Sequence, residues 1–300
     1  MKMRSFVVFG VTVLALATTA CGKQGAPGSS RAAFCERPPK LAVARDVQVA
    51  NSATFAAMKR RGHVVVGVKV DQPYLGYKDA TGRRCGFDID IARLMSARLG
   101  FDPDTVQYKE IPTANRETAI QSHEIDYYVG SYTMLDKRRK QVSFAGPYLV
   151  AGQSVLVRKN ESDVTSKSAL RGKRVCGATG TTSIQRVADM GLTQPANIVE
   201  FKTGSECLSQ LLDKKVDALS TDDAILKGYA AAAPKELKLV GKPFSTEKYG
   251  IGLPKADVPL RGAMNDALAA AATDGTWKKL YGATLGRSGV PASPPVVEKH

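Results

Sequence analysis

Charged and hydroxyl side chains at the ends of predicted strands are the groups in this 300-residue chain that could do chemistry. The run Gly180-Thr181-Thr182-Ser183 follows a predicted strand and precedes a predicted helix. Free N–H groups and the dipole at a helix start favour an anion, and the hydroxyls add hydrogen-bond donors. Thr and Ser are also ordinary helix N-caps, and both roles can coexist in one run. The run is therefore a candidate anion site.

Two more charged groups stand at the ends of predicted elements. Asp222 and Asp223 end a predicted strand, and the carboxyl ends of strands are where open α/β sheets bind ligands. Two acids at a strand–helix junction also serve as helix caps. Lys69 ends the first strand region, and Arg116 with Thr113 lies at the start of a predicted helix. Isolated Lys and Arg side chains are mostly surface residues, so neither decides a function alone.

The sequence lacks the motifs of several enzyme classes. It has no GxxxxGK(S/T) phosphate-binding run and no GxSxG nucleophile elbow. No CxxC or His–Cys spacing indicates a metal site, and there are three histidines. These absences lead us to expect no cofactor and no metal, and no motif here assigns a catalytic residue.

Composition excludes two further classes. No internal apolar run approaches the roughly 20 residues that a membrane-spanning helix needs. The net charge of +15 invites a nucleic-acid interpretation, but the basic residues are spread out, with short clusters at Lys59–Arg61 and Lys137–Lys140. One Trp, and no basic stripe interleaved with aromatics, argue against nucleic-acid binding. Taken alone, Lys137–Lys140 is interpreted as a solvated basic turn.

The start of the chain has the pattern of an export signal. Lys2 and Arg4 precede the apolar stretch Phe6–Ala17, which is too short to span a bilayer. The next residues, Thr18–Cys21, resemble the bacterial lipobox, although a threonine stands where leucine is usual. In that motif the cysteine, here Cys21, becomes the lipidated first residue of the mature chain. The alternative is a secreted protein that is cleaved here and carries no lipid.

Export changes the interpretation of the other four cysteines, because disulfides form in oxidising compartments. Cys35, Cys85, Cys176 and Cys207 allow three pairings. We favour Cys176 with Cys207, because both fall in one predicted α/β unit, and this leaves Cys35 with Cys85. Sequence alone does not choose among the three.

Strand and helix signals alternate from about residue 51 onward. His63–Val68 is a β-branched run typical of a buried parallel strand. The alternation restarts after a second β-rich run, Tyr148–Arg158, and a late strand after Tyr249 could return to the first series. Two α/β series predict two lobes, each a mainly parallel sheet flanked by helices. Two crossings between such lobes make a hinged clamp with its ligand in between.

Seven strings of the sequence resemble the polar amino-acid solute-binding proteins of ABC importers, most closely the glutamate/aspartate-binding branch. They run in the expected order between about Met58 and Leu285: VVVGVKVDQPYLGY, GFDIDIA, PTANRE, SYTMLDKRRKQVSFAGPY, GKRVCGATGTTS, VDALSTDDAIL and VGKPFSTEKYGIGL. The resemblance implies a two-lobed periplasmic-binding-protein type II fold with a two-strand hinge. The boundaries we expect are a signal peptide at 1–20, a lipid tether and lead-in at 21–50, lobe 1 at 51–147 and 250–286, lobe 2 at 153–244, hinge segments at 148–152 and 245–249, and a flexible tail at 287–300.

The resemblance also assigns the groups that meet the ligand's α-carboxylate. The family pattern T-x-x-x-x-R falls on Thr133 and Arg138. A guanidinium can hold a carboxylate with two parallel hydrogen bonds, which an ammonium cannot do. Ser131 matches a position that contributes a main-chain or hydroxyl contact. In the second lobe, the resemblance favours Thr181 and Thr182 as ligand contacts.

For the ligand's other groups, the resemblance implies two further contacts. Asp222 matches the acidic position that meets the ammonium. Lys69, and Arg116 with Thr113, stand where basic residues of the glutamate/aspartate branch meet the side-chain carboxylate. A neutral side chain would leave these two cations desolvated and unpaired. We therefore expect glutamate or aspartate as ligand. Some branch members carry arginine where Lys69 stands, so glutamine and asparagine stay open.

Together these expectations describe a monomeric, extracytoplasmic binding protein that is lipid-anchored to the outer face of the cell membrane. It would close on an acidic amino acid and deliver it to an ABC permease driven by an ATPase. One alternative uses the same clamp to report to a membrane receptor. Another is a cyclohexadienyl-type dehydratase on the same fold, which needs a carboxylic acid placed to protonate a leaving hydroxyl.

Overall fold

The computed structural model describes residues 34–289 and 291–298. The predicted signal peptide and Cys21, the predicted lipidation site, lie outside them. The helices are α1 (Ala53–Arg61), α2 (Phe87–Arg98), α3 (Arg116–Gln121), α4 (Asp136–Arg139), α5 (Thr182–Asp189), α6 (Gly204–Leu212), α7 (Asp223–Ala232), α8 (Val258–Thr273) and α9 (Thr276–Ala283). The strands are β1 (Val65–Val68), β2 (Asp71–Gln72), β3 (Gly76–Lys78), β4 (Arg84–Cys85), β5 (Gln107–Glu110), β6 (Tyr127–Val129), β7 (Ser143–Ala151), β8 (Gln153–Arg158), β9 (Val175–Ala178), β10 (Ile198–Phe201), β11 (Ala218–Asp222), β12 (Leu237–Val240) and β13 (Glu247–Leu253).

The first lobe is built on a five-stranded sheet of order β5-β1-β6-β13-β7. β1 pairs in parallel with β5 and β6, and its β-branched valines are the pattern of a strand covered on both faces. Helix α2 begins after Gly86, where φ is 114° and a Cβ would lie 2.1 Å from the carbonyl oxygen of Leu75. Glycine is required at this turn, because the turn brings the start of α2 so close to the backbone of Leu75, just before β3, that a side chain would not fit.

The second lobe has a sheet of order β10-β9-β11-β8-β12. β9 is parallel to β10 and β11, while β8 is antiparallel to β11 and β12. In the first sheet β13 is likewise antiparallel to β6 and β7. Each sheet thus has a parallel half and an antiparallel half, whereas the sequence predicted mainly parallel sheets. The antiparallel halves consist of the strands that enter or leave a lobe, and such strands need no helical crossover within it.

The chain crosses between the two sheets at Gly152 and again at residues 241–246. A Cβ on Gly152 would lie 2.6 Å from the carbonyl oxygen of Ser245, so the two crossings touch backbone to backbone. Gln153 N also donates to Ser245 Oγ at 2.9 Å. Of the predicted hinge segments 148–152 and 245–249, residues 148–151 and 247–249 lie within the paired strands β7 and β13 of the first sheet.

The lead-in before α1 belongs to the first lobe in the described residues. Phe34 and Cys35 are buried, and Leu41 and Val47 pack against the core. The structure forms the two favoured disulfides: Cys35–Cys85 anchors the lead-in to β4, and Cys176–Cys207 links β9 to α6.

The end of the chain also lies against the first lobe, although the sequence predicted a flexible tail. Glu298 accepts hydrogen bonds from Arg139 Nη2 at 3.0 Å and Lys248 Nζ at 2.6 Å. Its backbone N–H donates to Gly146 O at 2.8 Å. Basic side chains of α4 and β13, both far from Glu298 in the sequence, thus hold the end of the chain against the first lobe.

None of the helices in the described ranges is both long and apolar enough to cross a bilayer. Within the same ranges, no group of three or more His, Cys, Asp or Glu side chains is arranged to hold a metal ion.

Candidate functional site

A cavity lies between the two lobes. Its walls include all nine side chains that the sequence assigned to a ligand: Lys69, Thr113, Arg116, Ser131, Thr133 and Arg138 from the first lobe, and Thr181, Thr182 and Asp222 from the second. The carboxyl ends of β1, β6, β9 and β11 lead into it, as the rule for open α/β sheets predicts.

Arg138 in α4 presents a partly used guanidinium to the cavity. Its Nη1 donates to the carbonyl oxygen of Thr133 at 2.8 Å, and its Nε lies 3.6 Å from Glu117 Oε1. Nη2 has a longer contact of 3.4 Å to Gly180 O in the other lobe. Burial, and then the charge of Arg116, lower the pKa of Arg138 to about 10. The side chain therefore remains charged at neutral pH and can offer N–H groups to an anion.

Tyr132 lies close to both arginines of the site and was not predicted. The Cζ atom of Arg116 lies 4.2 Å from the centroid of its ring, and that of Arg138 lies 5.1 Å away. The hydroxyl of Tyr132 donates to Glu117 Oε1 at 2.7 Å. An aromatic face stabilises nearby cations, so Tyr132 and Glu117 help to hold two like charges in one wall.

Lys69, which follows β1, and Arg116, which begins α3, form a second basic wall. Lys69 Nζ donates to Thr113 Oγ1 at 2.5 Å. Nη2 of Arg116 contacts Gly180 O at 3.5 Å, while its Nε is buried with no hydrogen-bond partner. Burial, and then Arg116, lower the pKa of Lys69 to about 8. The hydrogen bonds of these two cations thus go to a hydroxyl and a carbonyl rather than to a carboxylate.

Ser131 lies in the loop after β6 with a positive φ of 43°. Its backbone N–H donates to Asp88 Oδ2 at 3.0 Å, and Tyr148 OH donates to the other oxygen, Asp88 Oδ1, at 2.9 Å. Burial raises the pKa of Asp88 to about 6. Because the N–H of Ser131 is taken by Asp88, this N–H is not free to bind a ligand.

The two threonines before and at the start of α5 have their hydroxyls engaged. Thr181 is the N-cap: its Oγ1 accepts from Ile184 N at 3.3 Å and donates to Ala178 O at 2.7 Å. Thr182 Oγ1 donates to Glu247 Oε2 at 3.2 Å. The capping role is therefore present, and the first backbone N–H groups of the helix, which lack intrahelical partners, are the donors suited to an anion.

Asp222 at the end of β11 is the buried carboxylate of the second lobe. Its Oδ2 accepts from Tyr249 OH at 2.5 Å and its Oδ1 from Ser183 Oγ at 3.3 Å. Burial, and then the nearby Glu247, raise the pKa of Asp222 to about 7. A cation beside it would favour the ionised form. Since Tyr249 belongs to β13 of the first sheet, this hydrogen bond also joins the lobes.

The sequence left open whether Asp223 is a helix cap, and in the structure its side chain makes other contacts. Its Oδ1 accepts from Gly152 N at 3.1 Å, and its Oδ2 accepts from Lys227 Nζ at 3.0 Å. The side chain ties α7 to the first crossing between the lobes.

The wall residues that the sequence reasoning missed include Asp71, Gln72 and Tyr229. Asp71 and Gln72 come shortly after β1, so the rule for strand ends could have marked them. Gln72 Oε1 is buried with no hydrogen-bond partner. Tyr229 lies in an Ala-rich helix, and no local pattern distinguishes it from a core residue.

Comparison with known proteins decides the family. Residues 64–286 match the bacterial extracellular solute-binding proteins, family 3. The chain belongs to this family. The resemblance stated from the sequence is confirmed at this level, and so is the two-lobed type II periplasmic-binding-protein fold with helices flanking both sheets.

Individual members of the family are similar over most of the chain. The glutamate-binding protein GluB of Corynebacterium efficiens is 35% identical over 75% of this chain and 79% of its own. The glutamine-binding protein GlnH of Bacillus subtilis is 32% identical over 91% of this chain and 92% of its own. Among solved structures, an ancestral arginine-binding protein bound to glutamine has a TM-score of 0.70 and 34% identity, over 75% of this chain and 99% of that one.

Proposed function

We propose that this chain captures an acidic amino acid outside the cytoplasm by closing its two lobes around it, and delivers it to an ABC importer. The observation that carries the acidic preference is the basic wall of Lys69 and Arg116, which are 8% and 3% exposed. Taking two like charges out of water costs several kcal/mol for each ion unless a counter-charge is supplied. A ligand side-chain carboxylate beside Lys69 and Arg116 would supply it.

The groups common to all amino acids would be held by the other walls. The unused N–H groups of Arg138 and the backbone N–H groups at the start of α5 suit the α-carboxylate. Asp222 suits the ammonium, and its oxygens already lie in a hydrogen-bonded frame. Because these groups come from both lobes, a ligand that contacts them all would favour the closed arrangement.

The names of the relatives support an amino acid as the ligand class. One similar protein is named for glutamate and another for glutamine, and these ligands differ in one side-chain group, a carboxylate or an amide. The charges of Lys69 and Arg116 favour the carboxylate of glutamate or aspartate over the amide. Delivery to a permease and its ATPase follows from the family, whose members are extracellular solute-binding proteins.

Isothermal titration of the mature protein against the twenty amino acids tests the proposed ligand. We expect glutamate or aspartate to bind best and Arg138→Ala to abolish the binding heat. Arg116→Ala should weaken glutamate far more than glutamine, since only glutamate brings a second carboxylate. The exposed Arg60→Ala is the matched control and should bind like the wild type. Equal weakening of glutamate and glutamine by Arg116→Ala would contradict the acidic preference.

We also propose that Cys21 carries the lipid that holds the protein at the outer face of the membrane. A single acyl chain anchors a protein only reversibly, so stable attachment needs two or three. Metabolic labelling with a tagged fatty acid should mark the wild-type protein and not Cys21→Ala. Release of unlabelled wild-type protein into the medium would instead support the secreted alternative.

Transport and sensing use the same clamp and are separated by uptake. Deleting the gene should reduce uptake of radiolabelled glutamate, and a plasmid copy should restore it. Unchanged uptake would favour the partner of a membrane receptor.

The dehydratase alternative depends on Asp222, the buried carboxyl whose pKa of about 7 suits a general acid. In the proposed site this group is committed to the ammonium. We therefore expect no turnover of a prephenate-like cyclic substrate, measured by the absorbance of the aromatic product. Turnover that Asp222→Asn removed would overturn the binding-protein proposal.

A further inference from the structure

The two lobes contact each other directly beside the cavity, through Asp71 of β2. Asp71 Oδ2 accepts from Ser205 N at 3.1 Å and from Tyr229 OH at 3.5 Å. Ser205 lies in the first turn of α6 in the opposite lobe, where backbone N–H groups have no intrahelical partner and the helix dipole favours a negative charge. The carboxylate of Asp71 therefore makes a charge-assisted contact that exists only while the lobes are together.

The backbones next to Asp71 approach each other as closely as atoms allow. A Cβ on Gly228 of α7 would lie 2.3 Å from the carbonyl oxygen of Pro73. That distance is well inside van der Waals contact, and a backbone carbonyl cannot swing aside. A Cβ on Gly204 of α6 would lie 3.7 Å from Asp71 Oδ2, which is ordinary van der Waals contact between the lobes. The small residues of α6 and α7 thus let this side of the cleft shut.

We propose that Asp71 is a latch: a positioning residue that sets ligand affinity by holding the lobes closed, and not by discriminating between ligands. This rests on the proposed function only in that an amino acid binds between the lobes. When a ligand needs the closed state, its apparent Kd is the intrinsic Kd divided by the fraction of closed protein. Losing the latch therefore weakens every ligand by the same factor.

A direct electrostatic role for Asp71 predicts a different pattern. Its carboxylate lies in the cavity wall with Lys69 and Arg116. If it acted on the ligand's charge, its removal would strengthen the binding of glutamate relative to glutamine, because one repulsive anion would be gone. The ratio of the two dissociation constants therefore separates a latch from a specificity residue.

The experiment is titration of glutamate and glutamine into wild-type protein, Asp71→Ala and Gly228→Ala. Gly228→Ala places a methyl group between the lobes without touching the cavity wall, and alanine is favourable within a helix. The matched controls are Asp266→Ala and Gly262→Ala on α8, where Asp266 is exposed and a Cβ on Gly262 meets nothing within 4 Å. Thermal unfolding of each variant confirms that it is folded.

We expect Asp71→Ala to bind glutamate and glutamine about ten-fold more weakly, the loss of one hydrogen bond to a charged group. Gly228→Ala, whose methyl group would collide with Pro73 O when the lobes close, should weaken both ligands by one common factor. The glutamate-to-glutamine ratio should stay at the wild-type value. At the one ligand concentration that half-saturates the wild type, small-angle scattering should show a larger radius of gyration for the latch variants than for the controls. A changed ratio in Asp71→Ala, or unchanged affinity in either folded latch variant, would overturn the latch.

A failure of the proposed ligand preference would be detected in a different measurement from a failure of the latch. If wild-type protein binds neither glutamate nor glutamine, the acidic preference fails in that titration. The latch comparison then uses the two amino acids of different charge that the wild type binds most tightly, with the same expected and contradicting outcomes.

Discussion

Replacing Lys69 by Met should make the ligand-free protein more stable and its binding of glutamate weaker. Burial and Arg116 lower the pKa of Lys69 from 10.5 to about 8. At about 1.4 kcal/mol for each pKa unit, keeping this side chain charged in the folded protein costs about 3 kcal/mol. Methionine removes that cost and fills similar space, but it also loses the hydrogen bond to Thr113, worth about 1 kcal/mol. The free energy of unfolding should therefore rise by about 2 kcal/mol.

The sign of the pH dependence follows from the direction of the shift. The folded-state pKa of Lys69 lies below the unfolded value, so the charged side chain penalises the folded state fully below pH 8. The penalty fades as the pH rises toward 10.5. The advantage of Lys69→Met should thus be complete at pH 7 and disappear at high pH.

Urea unfolding and titration of the same samples check this prediction. We expect about 30-fold weaker binding of glutamate, or about 2 kcal/mol, and a much smaller loss for glutamine, which brings no anion to this wall. The exposed Lys109→Met is the control and should change neither quantity appreciably. A ligand-free Lys69→Met protein less stable than the wild type at pH 7 would refute the view that this cation awaits an anion.

Three other predictions concern charge. Glutamate affinity measured by titration should be highest between about pH 7 and 8. Below this range Asp222 becomes protonated, and above it Lys69 loses its proton, and each change weakens binding. A flat profile from pH 6 to 9.5 would contradict both roles. Arg138→Lys keeps the charge but cannot make two parallel hydrogen bonds to a carboxylate, so all amino acids should bind at least about 30-fold more weakly. Near-normal affinity in the titration would show that Arg138 does not bind the ligand. Glu298→Ala should lower the free energy of unfolding, measured in urea, by less than about 1 kcal/mol, because its two ion pairs are partly exposed; a loss of several kcal/mol would make the tail a larger part of the fold.

Local patterns gave most of the elements. The valine run of β1, the Thr181 cap and the helical spacing in α2 act over a few residues, so they could be interpreted without neighbours. The antiparallel halves of the sheets escaped this reasoning, because periodicity predicts a strand but not the direction of its partner. The tail escaped it too, because Glu298 is held by charges more than 45 residues away.

The sequence by itself determined the residue types at the strand ends, the number of cysteines and the excess of basic charge. Only the tertiary structure decided that Arg116 and Arg138 both reach Gly180 across the cleft, and that Asp71 meets the start of α6. These contacts join segments from different lobes, and their existence depends on where two short crossings place one sheet against the other. Spacing along a chain carries no information on that angle, so nine residues of the cavity wall could be named from the sequence while the electrostatics and the closure of the cavity could not.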